Sequence, residues 1–271
     1  MKVYGSNSEA GNYATVNGIK IYYEIYGEGD PLLLIHGGRG SIENFELQIP
    51  ELSKHFRIIA PDSRAHGRTT DSDQPLSYAL MASDMAGLID ELKLERINIV
   101  GWSDGGNTAL EFAYAFPGKI GKMAIIGTNY TYRIPSVADD GVVMDPSDPL
   151  LARMKPFLEK YFRNSEKLCP TPERFPEIKR KWSELWNNHP DFTIEQLKEI
   201  KTPTLVISGD NDLYSLEQTV TLSRSLPNSQ LMVVPGASHF VHIEQPEMIN
   251  QAVIKFLKTP FRKINNRYFF K

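Results

Sequence analysis

The sequence INIVGWSDGG at residues 97–106 decides the fold of this chain of 271 residues. A short β-branched run ends in Gly-x-Ser-x-Gly, and residues 107–116 (NTALEFAYAF) then follow a helical pattern. The order strand, tight turn and helix is what a nucleophile elbow requires. Gly101 and Gly105 have no Cβ, so they leave room for a strained turn that lifts the Ser103 hydroxyl above the sheet edge. The stretch therefore predicts a reactive serine, with a plain tight turn as the alternative.

Strand and helix patterns alternate on both sides of this stretch. Residues 13–26 form two alternating runs joined by Asn17-Gly18, a dipeptide typical of a two-residue hairpin turn. Short strand patterns, most of them continuously apolar, recur at residues 32–35, 56–60, 97–100, 123–127, 204–208 and 230–234. Amphipathic helical patterns separate them, as at residues 77–92. The chain therefore predicts an α/β fold, a mostly parallel twisted sheet with helices on both faces.

Residues 130–200 interrupt this alternation. Proline, tryptophan and charged residues become more frequent there, and helical patterns occur near residues 150–162, 172–186 and 194–200. An insertion of about 70 residues is too long to be a simple loop between two strands. We interpret residues 130–200 as a helical cap inserted into a core domain that comprises residues 1–129 and 201–271.

The composition excludes several classes of protein. Hydrophobic residues make up 41% and charged residues 23%, as in ordinary soluble domains. The net charge of -3 does not favour nucleic acid or an anionic membrane surface as a partner. No apolar run reaches the roughly 18 residues of a membrane span. The single cysteine, Cys169, excludes an internal disulfide and a cysteine-based zinc site.

The N-terminal stretch bears on localisation. Residues 1–12 are polar and lack the apolar core of a signal peptide. The sequence as written therefore predicts a cytoplasmic protein, or an exported one if a signal has been removed. Nothing in the composition specifies an oligomeric state.

A serine nucleophile needs a base within hydrogen-bonding reach and a third group that orients the base. In a parallel sheet these partners follow the carboxyl ends of other strands. Asp212 lies four residues beyond one predicted strand, and His239 lies five residues beyond the next. The chain order Ser103, Asp212, His239 is the order expected on such a scaffold. Asp210 is a competing carboxylate.

The motifs resemble those of the α/β-hydrolase superfamily over nearly the whole chain. The resemblance depends on HGGRG at 36–40, DSRAHGRT at 62–69, GWSDGG at 101–106, GDND at 209–212 and GASHFVHIEQP at 236–246. GWSDGG is most similar to the small-ester hydrolases of the biphenyl-hydrolase-like branch. The resemblance implies the α/β-hydrolase fold with an inserted cap.

The resemblance also implies roles for individual residues. Ser103 is the nucleophile, His239 the general base and then acid, and Asp212 the orienting carboxylate, selected over Asp210 by the Gly-x-x-Asp spacing from Gly209. The oxyanion hole is formed by the backbone amides of Asp104 and Gly38. Neither a metal nor an organic cofactor is required. Structural roles are implied for the neighbouring basic residues His36, Arg64, His66 and His242.

The implied function is that of a serine hydrolase that cleaves a small carboxylic ester through an acyl-enzyme intermediate. Four alternatives stay open. They are an amide or peptide hydrolase of the proline-iminopeptidase type, a C–C bond hydrolase, a cofactor-free perhydrolase and a non-catalytic ligand-binding protein of the same fold. In the enzymatic cases the expected partner is a small-molecule ester or amide.

Two sets of residues are candidates for substrate contacts. The predicted cap supplies aromatic residues that would form apolar walls, with ordinary packing as the alternative for each: Tyr130, Tyr132, Phe157, Trp182 and Trp186. The second candidate is the Asp104 side chain, since a carboxylate directly after the nucleophile disfavours a developing oxyanion. Asp104 therefore indicates a substrate cation such as the α-ammonium of an amino-acid ester. The alternative is that Asp104 stabilises the helix N-terminus.

Overall fold

A computed structural model describes residues 4–133, 155, 157–158, 161 and 165–262. The strands are β1 (Gly11–Val16), β2 (Ile19–Tyr26), β3 (Pro31–Ile35), β4 (Arg57–Pro61), β5 (Ile97–Trp102), β6 (Ile120–Ile126), β7 (Thr204–Asn211) and β8 (Ser229–Ser238). The helices are α1 (Ile49–Leu52), α2 (Tyr78–Glu91), α3 (Asp104–Ala115), α4 (Phe175–Asn188), α5 (Ile194–Glu199), α6 (Leu216–Ser225), α7 (Val241–Glu244) and α8 (Pro246–Lys258). Short 3-10 helices occupy Ile42–Phe45 and Pro172–Arg174. In these ranges no helix combines the length and the apolar character needed to cross a membrane.

The strands form one sheet in the order β1-β2-β4-β3-β5-β6-β7-β8. From β4 to β8 the neighbouring strands run parallel, whereas β1 and β2 pair in antiparallel fashion. The predicted hairpin turn is present, with Asn17 at φ 48° and Gly18 at φ 76°. The mostly parallel α/β sheet predicted from the sequence is confirmed. Strand β5 lies in its interior, and its carboxyl end leads directly to Ser103.

Both faces of the sheet are covered by apolar side chains, as the uninterrupted strand patterns predict. Leu33 and Ile35 contribute to the cluster that includes α2 and α3, while Leu32 and Leu34 contribute to the cluster that includes α8. These four side chains are at most 1% exposed. Each such burial stabilises the fold by about 1.5–3 kcal/mol. The packed strands thus form a rigid support for the loops at their carboxyl ends.

The segment predicted as the cap leaves and rejoins the core at one place. Thr131 and Asp191 form an isolated antiparallel bridge. The amide of Tyr132 donates to the carbonyl of Pro190 at 2.7 Å. The amide of Phe192 donates to the carbonyl of Tyr130 at 2.9 Å. The assignment of residues 130–200 as a separate cap stays a prediction. The helix predicted at residues 150–162 lies mostly outside the described residues.

Helix α4 is anchored to the core by an apolar face and by a buried ion pair. Its apolar side chains share a cluster with residues of α2 and of the loop after β4: Phe175, Ile178, Trp182 and Leu185 with Ala65, Leu76, Tyr78 and Met81. Lys181 Nζ lies 2.8 Å from Asp71 Oδ2, and the two side chains are 2% and 0% exposed. Because these charges are shielded from water, their loss is costly unless both are removed together.

Replacing Lys181 by alanine should lower the free energy of unfolding by about 3 kcal/mol, the lower end for a broken buried pair. Asp71 then loses its closer partner and keeps Arg174 Nη2 at 3.3 Å. Arg180→Ala is the matched control on the same helix. Arg180 pairs with Glu184 at the surface, where such pairs contribute less than about 1 kcal/mol. Urea unfolding followed by circular dichroism measures both. Equal losses for the two variants would contradict the assigned importance of the buried pair.

Candidate active site

Ser103 occupies the turn between β5 and α3. Its backbone has φ 53° and ψ -120°, a region that non-glycine residues rarely adopt. The amide of Ser103 donates to the carbonyl of Ile126 in β6 at 2.8 Å, and its carbonyl accepts from the amide of Gly106 at 2.8 Å. Strain of this kind costs about 1–3 kcal/mol and persists only where the surroundings enforce it. The observed order strand, serine, helix agrees with the prediction.

Gly105 allows the turn to lie directly against the end of β3, because it has no side chain. A Cβ at this position would lie 1.9 Å from the carbonyl oxygen of Ile35 at the end of β3. The start of α3 is therefore in direct backbone contact with the neighbouring strand. This contact also brings the loop that follows β3 close to Ser103.

Three predicted residues from three strand ends meet at Ser103 Oγ. His239 Nε2 lies 3.0 Å from Ser103 Oγ, and His239 Nδ1 lies 2.7 Å from Asp212 Oδ1. Asp212 and His239 are buried, being 4% and 6% exposed. The carboxylate also accepts from the hydroxyl of Ser208 at 3.2 Å and from the amide of Tyr214 at 3.4 Å. The arrangement can move a proton from the serine hydroxyl to the imidazole while the carboxylate orients the ring.

The competing carboxylate points elsewhere. Asp210 is exposed. Its Oδ1 accepts from the side-chain amide of Asn211 at 2.7 Å and from the backbone amide of Ala237 at 3.3 Å. The structure thus brings Asp212 rather than Asp210 to His239, as the Gly-x-x-Asp spacing indicates.

Trp102 contacts both His239 and His242. Its indole Nε1 donates to the carbonyl of His239 at 2.9 Å, and its ring lies 4.5 Å from that of His242. Burial lowers the pKa of His242 to about 3, so this histidine is neutral and packs as an apolar ring. Within the described ranges no three His, Cys, Asp or Glu side chains are grouped in a way that could hold a metal ion.

The basic residues in the loops after β3 and β4 make structural contacts. His36 Nε2 accepts from the amide of Ser63 at 2.9 Å, and burial lowers its pKa to about 3. Arg64 forms two hydrogen bonds of 2.7 Å to Asp84. His66 Nδ1 lies 2.7 Å from the carbonyl of Arg64, and burial lowers the pKa of this histidine to about 4. These contacts hold the two loops and agree with the structural roles predicted for His36, Arg64 and His66.

A cavity of about 550 Å³ opens above Ser103 and His239. Its volume lies within the range of small-molecule sites. Polar groups form much of the wall around the serine, among them Tyr78, Asp104 and Asn129. A purely hydrocarbon ligand would leave these groups without new partners, so the cavity suits a ligand that carries a polar or charged group near its reacting centre.

Only some of the predicted wall residues line this cavity. Tyr132 and Trp186 do. Trp182 instead lies one helical turn earlier on α4, where it is 2% exposed and packs against His66 and Phe175. The predicted wall role of Trp182 is therefore corrected to a packing role, because the apolar face of α4 turns it toward the core.

The other two predicted wall residues also lie outside the lining. Tyr130 packs against the apolar cluster that includes α2 and α3. Phe157 stacks on Tyr161, with ring centroids 6.1 Å apart, and contacts Phe240 edge to face. Phe157 therefore supports the lining residues Tyr161 and Phe240 from behind.

The Asp104 carboxylate faces the cavity wall rather than the turn of its own helix. Oδ1 accepts from the Tyr78 hydroxyl at 2.9 Å, and Oδ2 accepts from the Trp186 indole Nε1 at 2.9 Å. Burial raises the pKa of Asp104, and the hydrogen bonds from Trp186 and Tyr78 offset part of that effect. The side chain thus links the elbow to α2 and to α4 instead of capping α3.

The Gly38 backbone lies against the Asp104 side chain. A Cβ on Gly38 would be 2.4 Å from Asp104 Oδ2 and 2.9 Å from Trp186 Cζ2. The Tyr161 hydroxyl donates to the carbonyl of Gly38, in the peptide group that joins Gly38 to Arg39. Asp104 is the first residue of α3, so its amide has no acceptor one turn earlier in the helix. The role of both amides as an oxyanion hole stays a prediction.

Sequence reasoning missed several residues that line the cavity. Tyr214 and Phe240 follow Asp212 and His239 within two residues, so their place in the triad loops was a usable signal. His189 and Asn129 also line the cavity. Tyr78 bonds to Asp104 across 26 positions of sequence, and no motif connects the two.

Comparisons with known proteins agree with this architecture. The model of the alpha/beta hydrolase family matches residues 32–252. The chain is 31% identical over 253 residues to the serine hydrolase BPHL of Homo sapiens, covering 90% of this chain and 84% of that protein. It is 27% identical over 274 residues to the 2-hydroxy-6-oxo-2,4-heptadienoate hydrolase of Pseudomonas putida, covering 93% and 97%. The meta-cleavage product hydrolase of Pseudomonas fluorescens IP01 superposes with a TM-score of 0.74 at 26% identity, covering 92% of this chain and 98% of that chain.

Gly38→Ala should slow the reaction of Ser103 with a fluorophosphonate probe by about 10²-fold, because the new methyl group displaces the loop from the elbow. Gly118→Ala is the control, since a Cβ there meets nothing within 4 Å. Labelling rates of the folded variants measure the effect. An unchanged rate in Gly38→Ala would mean that the loop does not form part of the site.

Proposed function

We propose that this chain, which belongs to the alpha/beta hydrolase family, is a serine hydrolase that cleaves small carboxylic esters through an acyl-enzyme intermediate. The observation that supports this most directly is the line of two hydrogen-bonding contacts, 3.0 Å from Ser103 Oγ to His239 Nε2 and 2.7 Å from His239 Nδ1 to Asp212. A serine hydroxyl becomes a nucleophile only with such a base and such an orienting carboxylate.

Acylation follows from these positions. His239 Nε2 takes the proton of Ser103 Oγ as that oxygen bonds to the ester carbonyl carbon. The carbonyl oxygen becomes an oxyanion that accepts from the amides of Gly38 and Asp104. Asp212 stabilises the imidazolium. The bond to the alcohol oxygen then breaks, and that oxygen takes the proton from His239.

Deacylation repeats the same steps with water. His239 removes a proton from the water that attacks the acyl carbon, and the second tetrahedral intermediate is held by the same two amides. Its collapse releases the carboxylic acid and returns the proton to Ser103 Oγ.

Ser103→Ala should abolish both fluorophosphonate labelling and hydrolysis of p-nitrophenyl acetate, because it removes the nucleophile. Asp212→Asn should lower kcat by about 10³–10⁴-fold, since the amide favours the wrong imidazole tautomer. Asp210→Asn is the matched control and should leave kcat within about twofold, in keeping with a surface substitution. Turnover retained in Ser103→Ala, or a larger loss in Asp210→Asn, would contradict the assignment.

We propose further that the acyl group carries an ammonium. The Asp104 carboxylate lies in the cavity wall beside the proposed oxyanion hole, where its negative charge opposes the oxyanion. An ammonium next to the ester carbonyl would offset this repulsion. It would also supply a cationic partner to the buried carboxylate, whose charge is costly to bury alone. An α-amino ester has its charge at the required short distance from the carbonyl carbon.

Asp104→Asn should reduce kcat/KM for an α-amino ester by about 10²-fold, and for the isostere without the amino group by less than about threefold, since a charge-assisted contact is lost only in the first. In the wild-type protein the ratio of the two kcat/KM values should fall as the pH drops through the raised pKa of Asp104. The ratio cancels any pH dependence that the two substrates share. An equal loss of kcat/KM on both esters would contradict binding of the ammonium and would leave Asp104 with a structural role in the turn.

C–C bond hydrolysis is a second candidate. Arg39 lines the same cavity, and a guanidinium suits the carboxylate of a dienoate of the kind named for the Pseudomonas putida relative. Turnover of 2-hydroxy-6-oxo-2,4-heptadienoate, compared with that of p-nitrophenyl acetate, separates the two. A kcat/KM that is higher for the dienoate, and lowered by Arg39→Gln, would favour the second candidate over ester hydrolysis.

A further inference from the structure

Tyr214 is attached to the triad through its backbone and its ring. It follows β7 in the loop that carries Asp212, and its amide donates to Asp212 Oδ1 at 3.4 Å. Its ring lies edge to face against the imidazole of His239, with centroids 5.7 Å apart at 80°. The same side chain lines the cavity above Ser103. The phenol therefore flanks the base from the cavity side.

The Tyr214 side chain also interacts with the side chain of Ser103. Burial raises the pKa of Tyr214 well above its usual range, and the carboxylates of Asp104 and Asp212 raise it further. The phenol therefore keeps its proton throughout the neutral range and can act only as a neutral hydrogen-bond donor or acceptor. Ser103 Oγ thus has both the imidazole and the Tyr214 phenol as neighbours.

The position of the departing oxygen follows from the reaction itself. His239 Nε2 accepts a proton from Ser103 Oγ and must then deliver it to the oxygen of the alcohol, so that oxygen lies beside Nε2 when the bond breaks. Tyr214 flanks the same imidazole. The proposed oxyanion donors belong to other elements, namely the loop after β3 and the first residue of α3. The phenol therefore lies beside the imidazole on the cavity side, where the departing oxygen must receive its proton.

We propose that Tyr214 is a further catalytic residue, whose hydroxyl donates a hydrogen bond to the leaving-group oxygen during acylation of Ser103. This inference rests on the proposed ester hydrolysis. As the bond between the acyl carbon and the alcohol oxygen breaks, its electron pair passes to the oxygen, which takes the proton of His239 Nε2. Tyr214 keeps its own proton and stabilises the partial negative charge until that transfer is complete.

The dependence on the leaving group tests this role. Tyr214→Phe should lower kcat/KM for an ethyl ester by about tenfold, the typical value of one hydrogen bond to a charged atom, and for the p-nitrophenyl ester of the same acid by less than about twofold. The difference arises because p-nitrophenolate departs without help from a donor. Tyr114→Phe, at an exposed position on α3, is the matched control and should change neither value.

The outcomes separate this inference from the proposed function. Wild-type protein that turns over neither ester would overturn the proposed function and this inference with it. Wild-type turnover combined with equal losses on both esters in Tyr214→Phe, or with no loss, would overturn this inference alone. If Tyr214→Phe does not fold, 3-fluorotyrosine at position 214 keeps the shape and strengthens the donor. It should then raise the ratio of ethyl to p-nitrophenyl turnover, and an unchanged ratio would overturn the role.

Discussion

The strained backbone at Ser103 is the constraint on which the rest of the site depends. A φ of 53° is unfavourable for serine, so the turn exists only because β6 binds its amide and α3 begins against the end of β3. Both contacts require the packed parallel sheet, whose strands are apolar on both faces. Burial of the apolar strands therefore fixes the position of the Ser103 hydroxyl. The histidine and the carboxylate then need only the ordinary geometry of strand ends.

Local patterns were sufficient to predict the sheet, the hairpin and the approach of His239 and a carboxylate to Ser103. Each of these follows from the hydrophobic periodicity, from the turn residues, or from the rule that the carboxyl ends of parallel strands lie at the same edge of the sheet. The choice of Asp212 over Asp210 came from the resemblance to the family. The cavity wall was harder to predict. Trp182 and Trp186 are equally aromatic and lie on one helix, yet only Trp186 lines the cavity. What separates them is the packing of α4 on the core, which depends on contacts distant in sequence.

Asp104 is where the core and the predicted cap segment meet through polar contacts. Its two oxygens bond to Tyr78 from α2 and to Trp186 from α4. The Lys181–Asp71 ion pair also holds α4 to the loop after β4. The electrostatic environment of the nucleophile is therefore set jointly by residues more than 70 positions apart. Changes on the packed face of α4 will alter the charge and shape of the cavity without touching its lining.

The placement of the indole rings gives this protein a built-in optical reporter. The chain has three tryptophans. Trp102 contacts the ring of His239, and Trp186 bonds to Asp104. Trp182 lies on the same helix as Trp186 and packs that helix against the core. Indole emission shifts with local charge and polarity. Two of the three indoles therefore report on the surroundings of the nucleophile, and the third reports on the packing of α4. Ligand entry, ionisation of the carboxylate and loosening of α4 can each be followed without any attached dye.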